Sequence, residues 1–201
     1  MSVKKSGTVK YWNGPFYSGE PLLEDWASLR GNGANDRILA GNGPNYIDGG
    51  AGNDIIKGNG GSDLIIGGAG NDRLTGGSGN DSFVFNTALD ARTNVDTITD
   101  FRHNQDRIAL SLNIFQALDY TVKTDAFGHA SGDRQFKVFG TLKPEGFRIG
   151  PAAVDADDRI IYSKVTGALF YDPDGSGPAE QIQFAQLKAQ ANFGLKDIIV
   201  Y

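Results

Sequence analysis

The chain has no cysteine, so disulfides, thiolate zinc sites and thiol catalysis are all excluded. Soft metals lack their preferred ligands for the same reason. Only two histidines occur, and no His-Glu-x-x-His, Gly-x-Ser-x-Gly or Gly-x-x-x-x-Gly-Lys-Ser/Thr pattern is present, which removes the common signatures of zinc proteases, lipases and phosphate-cradling loops. No apolar stretch approaches the roughly 18 residues of a membrane span. The N-terminus MSVKKSGTVKYWNGPFYSGE carries two lysines but no apolar core, so it is not a Sec-type signal peptide, and read from that end alone the chain looks cytoplasmic. Cations are in deficit too: 19 Lys and Arg stand against 24 Asp and Glu, for a net charge of −5, and the basic residues are scattered. That balance argues against a nucleic-acid partner and for a divalent cation. At 39% hydrophobic residues, only a modest core is expected.

Glycine, by contrast, is abundant, and 16 of the 28 fall between Gly31 and Gly79. They belong to six tandem units of nine: GNGANDRIL from Gly31, AGNGPNYID from Ala40, GGAGNDIIK from Gly49, GNGGSDLII from Gly58, GGAGNDRLT from Gly67 and GGSGNDSFV from Gly76. The sixth position reads Asp36, Asn45, Asp54, Asp63, Asp72 and Asp81; the eighth is always apolar, from Ile38 to Phe83. Glycines let the backbone bend sharply and expose its carbonyls, so each first half is a turn. The second half, one inward apolar residue with its neighbours, is a short strand.

Turn and strand in alternation predict an all-β, flattened parallel solenoid of about three turns over 31–84. Two units make one revolution, so residues 18 apart sit on strands about 4.8 Å apart. Asp36, Asp54 and Asp72 then form one column, and Asn45, Asp63 and Asp81 the other. At that spacing two carboxylates repel by roughly 0.9 kcal/mol in water and roughly 3.5 kcal/mol at an effective dielectric of 20. A cation between rungs removes the repulsion. Calcium suits an oxygen cage of six to eight ligands at about 2.3–2.6 Å, and magnesium suits it less well. The turns offer the remaining ligands as carbonyls: Gly31, Gly33 and Asn35 in the first unit, Gly43 in the second, Gly49, Gly50 and Gly52 in the third, Gly58, Gly60 and Gly61 in the fourth, Gly67, Gly68 and Gly70 in the fifth, and Gly76, Gly77 and Gly79 in the sixth. The strongest sites pair Asp54 with Asp72 and Asp63 with Asp81. Asp36 with Asp54 and Asn45 with Asp63 are weaker, because Asn45 lacks the charge, Pro44 alters its turn and Ala34 replaces a glycine. Asp48, at a ninth position, reads as solvated.

The pattern G-G-x-G-x-D-x-U-x, matched closely by 49–84 and loosely by 31–48, resembles the RTX, or hemolysin-type, calcium-binding repeat. The resemblance implies a parallel β-roll that binds Ca2+ and a secreted, bacterial, extracellular protein.

Outside the repeats, residues 1–30, with Trp12, Trp26 and the segment LLEDWASLR read as a short helix or irregular extra turn, are expected to cap the roll, since a solenoid needs capped ends. Residues 85–201 are expected to form a β-rich, mainly antiparallel capping region. In NVDTITDFRHNQDRIALS two strands flank a turn; the segment resembles the one following the repeats in serralysin-type proteases. Asp96, Asp100 and Asp106 read there as solvated turn residues, with a further cation site as the alternative. His103 and His129 read as surface residues, and Asp157 and Asp158 as an adjacent pair in an exposed turn. RIIYSKVTGALFYDPDGSGPAEQIQFAQL reads as strand, turn at Gly167, strand, polar loop and apolar segment, and also resembles the serralysin-type region. Asp172, Asp174 and Ser176 have EF-hand spacing, but Gln183 stands at the twelfth position, which favours a plain tight loop. The terminal LKDIIVY resembles the uncleaved signal read by type I secretion machinery, with a buried last strand as the alternative.

The function expected from these readings is non-catalytic: a calcium-folded, type I-secreted module. The alternatives are the export portion of a larger secreted enzyme, or a calcium-dependent module binding cell-surface polysaccharide or protein.

Overall fold

The computed structural model describes residues 8–10, 27–122 and 140–201. Trp12, Trp26, His129 and most of the N-terminal segment lie outside the described residues.

The first ten strands are β1 (Thr8–Lys10), β2 (Ala27–Arg30), β3 (Arg37–Leu39), β4 (Asn45–Ala51), β5 (Ile55–Gly60), β6 (Leu64–Ala69), β7 (Arg73–Ser78), β8 (Ser82–Phe85), β9 (Asp96–Ile98) and β10 (Arg107–Leu110). They alternate between two sheets, odd members in one and even members in the other, all parallel. The register is the one the period of nine demands: Ile38 pairs with Ile56 and Ile56 with Leu74, while Ile47 pairs with Ile65 and Ile65 with Phe83. These eighth-position side chains all point into the space between the sheets and are at most 1% exposed. Burying each contributes about 1.5–3 kcal/mol relative to leaving it in water.

Glycine is required where rungs stack. Gly68 has φ +104°, and a side chain on it would collide with the Gly50 carbonyl of the rung below. Both the left-handed backbone and the close approach demand the missing Cβ.

The roll does not stop at the repeats. Residues 27–30, where a helix or irregular turn is expected, are a strand that adds a rung ahead of β4, and β9 and β10 add two more behind β7 and β8. The remaining strands are β11 (Tyr120–Val122), β12 (Gly140–Leu142), β13 (Phe147–Ile149), β14 (Ile160–Tyr162), β15 (Ala168–Tyr171), β16 (Ile182–Gln186) and β17 (Ile198–Val200). They lengthen the same two sheets: β16, β15, β14 and β13 continue from β9, and β17, β12 and β11 from β10. The junctions β9 with β16 and β10 with β17 are parallel, whereas β14–β15, β15–β16, β11–β12 and β12–β17 are antiparallel. The antiparallel turn at Gly167 (φ +84°) lies where the glycine was expected to place it.

Between the two extended sheets the thin aliphatic strip of the roll widens into an aromatic core. Phe115 packs edge-on against Phe184 at 5.2 Å and Tyr171 at 5.1 Å, and Phe193 against Tyr162 at 5.2 Å. The cap therefore supplies the buried area that a roll of small rungs lacks.

Candidate metal centre

Position six of each unit ends a turn and stands at or just before the start of a strand, so its side chain folds back under the turn of the same rung. Asp36, Asn45, Asp54, Asp63, Asp72 and Asp81 are all buried, between 1% and 3% exposed. One carboxylate oxygen of each rung is consumed by the rung before it. Asp54 Oδ1 accepts the backbone N–H of Asp36 (2.7 Å), and Asp72 Oδ1 that of Asp54 (2.7 Å). On the opposite edge Asp63 Oδ1 accepts from the Asn45 N–H (2.8 Å) and Asp81 Oδ1 from that of Asp63 (3.0 Å). These bonds lock the stack into columns.

The second oxygen is different. Oδ2 of Asp54, Asp63, Asp72 and Asp81 is buried with no hydrogen-bond partner. An unpaired buried carboxylate oxygen is costly, and four in register are not a packing accident. Each faces a glycine cradle. A Cβ on Gly49 would collide with Asp54 Oδ2 and the Gly67 carbonyl oxygen; on Gly58, with Asp63 Oδ2 and the Gly76 carbonyl oxygen. A Cβ on Gly67 would strike Asp72 Oδ2 and approach Asp96 Oδ2. Among the described residues no three carboxylate or imidazole side chains converge on one point. A carboxylate oxygen and carbonyls from successive rungs, the donor set calcium prefers, form each cradle instead. The donor chemistry, the orphaned oxygens and the space held open by glycine all fit calcium.

Electrostatics agree. Burial, opposed in part by backbone hydrogen bonds and reinforced by neighbouring aspartates, pushes the Asp54 and Asp81 carboxyls up to about 6. Asp63 also rises to about 6 through burial, against the hydrogen bonds from Asn45. Burial raises Asp72 and Asp106 as well, and lifts Asp96 well above the carboxylate range, with the Asp72 charge adding to it. Without a cation the columns resist ionisation.

The two sites read as weaker differ visibly. Asp36 is already served by its own turn, its Oδ2 accepting from the Asn32 N–H (2.9 Å) and its Oδ1 from Asn32 Nδ2 (3.3 Å). At Asn45 the amide donates to the Gly43 carbonyl and to Asp63 Oδ1 (3.0 Å), so an uncharged donor stands where the other rungs leave an orphaned oxygen.

Three sequence expectations need correction. Asp96 and Asp106 are not solvated turn residues: they are 4% and 2% exposed and continue the columns, Asp96 Oδ1 accepting the Asp72 N–H and Asp106 Oδ1 that of Asp81, both at 3.1 Å. Asp100, half-buried, binds the N–H groups of Gly76 and Gly77 (3.0 and 2.8 Å). The signal was present as an Asp at or just before the start of each new strand, but the spacing widens from 18 to 24 and 25, which hides it from a nine-residue comparison. The Asn35 side chain is engaged away from the cradles, which bears on its side chain and not on the carbonyl expected of it. It is exposed, and its Oδ1 accepts the Asn53 N–H (2.7 Å), starting a ladder that passes through Asn53 to Asn71. Gly33, also exposed, has no atom near its open side.

Second, His103 is not a free surface residue. Its Nδ1 lies 2.7 Å from Asp197 Oδ2, and Asp197 is fully buried. The same carboxylate accepts the N–H groups of Asn104 (3.0 Å) and Gly194 (2.9 Å), pinning the last strand beside β10. Asp197→Ala removes the shared charged acceptor of both amides, and a loss of about 1.5–3 kcal/mol is expected in urea unfolding with calcium present. A loss below about 0.5 kcal/mol would mean the latch bears no strain on the fold. Third, Asp158 is buried and not part of an exposed pair: it accepts the Val154 and Asp155 N–H groups and lies 3.6 Å from Arg148, while Asp157 is exposed. Asp172 accepts the Asp174 and Gly175 N–H groups, closing the tight loop expected there.

Residues 30–65 and 52–83 match the family model of the RTX calcium-binding nonapeptide repeat (4 copies). No curated protein matches the chain. Among solved structures, the chain is similar to the AlgE6R3 subunit of the Azotobacter vinelandii mannuronan C5-epimerase, with 25% identity over 92% of this chain and 84% of that one, at a TM-score of 0.48. It is also similar to the AlgE6R2 subunit of the same enzyme, with 22% identity over 86% and 91% of the two chains and a TM-score of 0.47.

Proposed function

We propose, from the premise that this chain is an RTX-repeat protein, that it is a secreted, non-catalytic module whose roll folds on extracellular calcium after export through a type I machinery. The observation that carries the reading is the set of four buried, unpartnered Oδ2 atoms on Asp54, Asp63, Asp72 and Asp81. When bound, calcium supplies the positive charge that lets these carboxylates ionise in the stack. Without it, their burial and mutual repulsion disfavour the coiled state, and the repeat glycines gain the most entropy from staying unfolded. Because the cradles exist only when rungs are stacked, ligand binding and folding are one equilibrium. Affinities of about 0.1–1 mM, the range of extracellular modules, leave the chain open where calcium is scarce and closed outside the cell.

Two features favour export by the C-terminal LKDIIVY. It resembles a type I signal, and the strand that contains most of it pairs with β10 behind the last rung of the roll, so it lacks that partner for as long as the roll is open. A non-catalytic role fits the disposition of the acids and histidine: His103 is engaged by Asp197, and the column aspartates are committed to backbone amides. Among the described residues no helix is long and apolar enough to cross a membrane.

Circular dichroism of the full chain should pass from poorly ordered to β-rich across a millimolar calcium titration, and return with chelator. Identical spectra in both would end the coupled-folding reading. Deleting residues 197–201 should abolish export from a host carrying a type I exporter; undiminished secretion would dismiss the terminal signal.

A further inference from the structure

Four asparagines stand directly before a glycine: Asn13, Asn32, Asn42 and Asn59. Such a pair is chemically reactive, because glycine has no side chain to keep its backbone nitrogen away from the preceding carboxamide. Asn13 lies outside the described residues, and the roll treats the other three unequally. At Asn42 the Gly43 N–H donates to the Gly60 carbonyl (2.7 Å) and the Asn45 amide donates to the Gly43 carbonyl, so both sides of that glycine are tied to neighbours. At Asn59 the carboxamide donates to the Ala40 carbonyl, and Gly60 is buried in β5 opposite Ser78. Gly33 is exposed at a bend, no atom lies within 4 Å of its open side, and its N–H makes no hydrogen bond among the described residues.

We propose that Asn32 is a site of spontaneous deamidation in the folded protein, and that its conversion makes the first turn of the roll dependent on a cation. The Gly33 nitrogen attacks Asn32 Cγ. The new N–Cγ bond forms as Cγ–Nδ2 breaks, and ammonia leaves with the two Nδ2 protons and the one given up by Gly33. Water, the only co-reactant, then opens the five-membered succinimide at either carbonyl and leaves aspartate or isoaspartate at position 32. The turn is arranged for the addition step: Oδ1 already accepts the Ala34 N–H (3.0 Å), a donor placed where negative charge develops. Nδ2, the leaving nitrogen, is held on the other side by Asp36 Oδ1 (3.3 Å).

The product changes the rung. The Asn32 N–H and Nδ2 now serve both Asp36 oxygens, so this aspartate is satisfied without metal. An aspartate at position 32 replaces the Nδ2 donor with a second carboxylate within reach of Asp36, and isoaspartate also lengthens the backbone of the turn by a methylene. Two carboxylates so close repel unless a cation lies between them. The first turn thereby comes to resemble the later ones, where Oδ2 has no partner of its own. This consequence rests on the calcium reading of the columns, whereas the modification itself does not.

The test ages the full chain in millimolar calcium at mildly alkaline pH and maps it with trypsin. Cleavage after Arg30, Arg37, Lys57 and Arg73 puts Asn32 in peptide 31–37, Asn42 in 38–57 and Asn59 in 58–73. Mass spectrometry reads the gain of one mass unit, and chromatography separates the aspartate and isoaspartate forms. Peptide 31–37 should convert about tenfold faster than the other two, since attack at Gly43 must first break a hydrogen bond within the stack. Asn32→Ser should abolish that conversion, which assigns it to Asn32 and not to Asn35 in the same peptide. Equal rates at Asn42 or Asn59 in protein that circular dichroism shows to be folded, or conversion surviving in Asn32→Ser, would overturn the site. In chelator the three rates should converge as the roll opens; rates that stay apart there refute the roll's calcium dependence and leave the site standing. The consequence is read on Asn32→Asp, which should have a lower β-structured fraction than the parent at limiting calcium and an equal one at saturating calcium. Equal fractions at limiting calcium, or a deficit that saturating calcium does not restore, would overturn it.

Discussion

Asp72→Asn should stabilise the protein in chelator and destabilise it in calcium. Asp72 sits mid-column, with Oδ1 holding the Asp54 N–H and Oδ2 buried and unpaired. An asparagine keeps the accepting oxygen and replaces the orphaned one with an amide that can donate to nearby carbonyls, as Asn45 does naturally toward Gly43. Removing one unsatisfied buried acceptor relieves about 1–3 kcal/mol in the metal-free fold. The same change deletes a charged ligand, and because charge count sets calcium affinity in oxygen cages, the folding midpoint should move to about tenfold higher calcium or more. The β-structured fraction in EDTA, read by circular dichroism and expected to rise, and the urea midpoint in calcium, expected to fall, give both signs from one variant. Asp48→Asn, at a half-buried ninth position, should move neither by more than a few tenths of a kcal/mol. Loss of stability in both solvents would show that Asp72 is a structural acid and no ligand.

The opposite signs follow from how the columns are built, and most of that construction was legible in the residues. A period of nine with one apolar position and one acid fixes the alternation of turn and strand. Ile38, Ile56 and Leu74 then fall in register because a two-unit revolution leaves no other place for them. The glycines at the first position of five of the six units were legible as turn formers, but their second use was not. Gly49 and Gly58 hold open the space beside Oδ2, a steric role that appears only once neighbouring rungs are superposed.

The misreadings share a cause. Asp96 and Asp106 repeat the chemistry of the columns at a longer spacing, since a loop from Asn86 to Val95 and the turn at 101–105 lengthen the connections without changing where the strands land. Periodicity detects equal contour length, whereas the sheet enforces equal rung position. His103 and Asp197 are 94 residues apart and meet because β10 and β17 are neighbours. Nothing local to either residue announces the other.

Stability against pH should likewise run in opposite directions with and without calcium. In the metal-free fold Asp54, Asp63 and Asp81 have carboxyls raised from 3.8 to about 6, with burial the main cause in each. A group whose folded pKa lies above its unfolded value favours folding most below the unfolded value, and that contribution is lost as pH rises through the folded one. Protonated, these acids no longer repel along the column. In EDTA the β-structured fraction seen by circular dichroism should therefore fall as pH rises from about 4 to about 6.5, with Asp72, Asp96 and Asp106 acting in the same direction. In saturating calcium the relevant species is the carboxylate, and protons compete with the cation for Oδ2. The calcium concentration at half-folding should then rise as pH drops through about 6, and the urea midpoint should fall with it. The two curves cross, and the crossing marks the pH below which protons replace calcium as the cheaper way to neutralise the columns. A metal-free β-structured fraction that climbed with pH over that window would mean that the aspartates are ionised and satisfied without a cation, and the stacked Oδ2 atoms would lose their claim to be ligands.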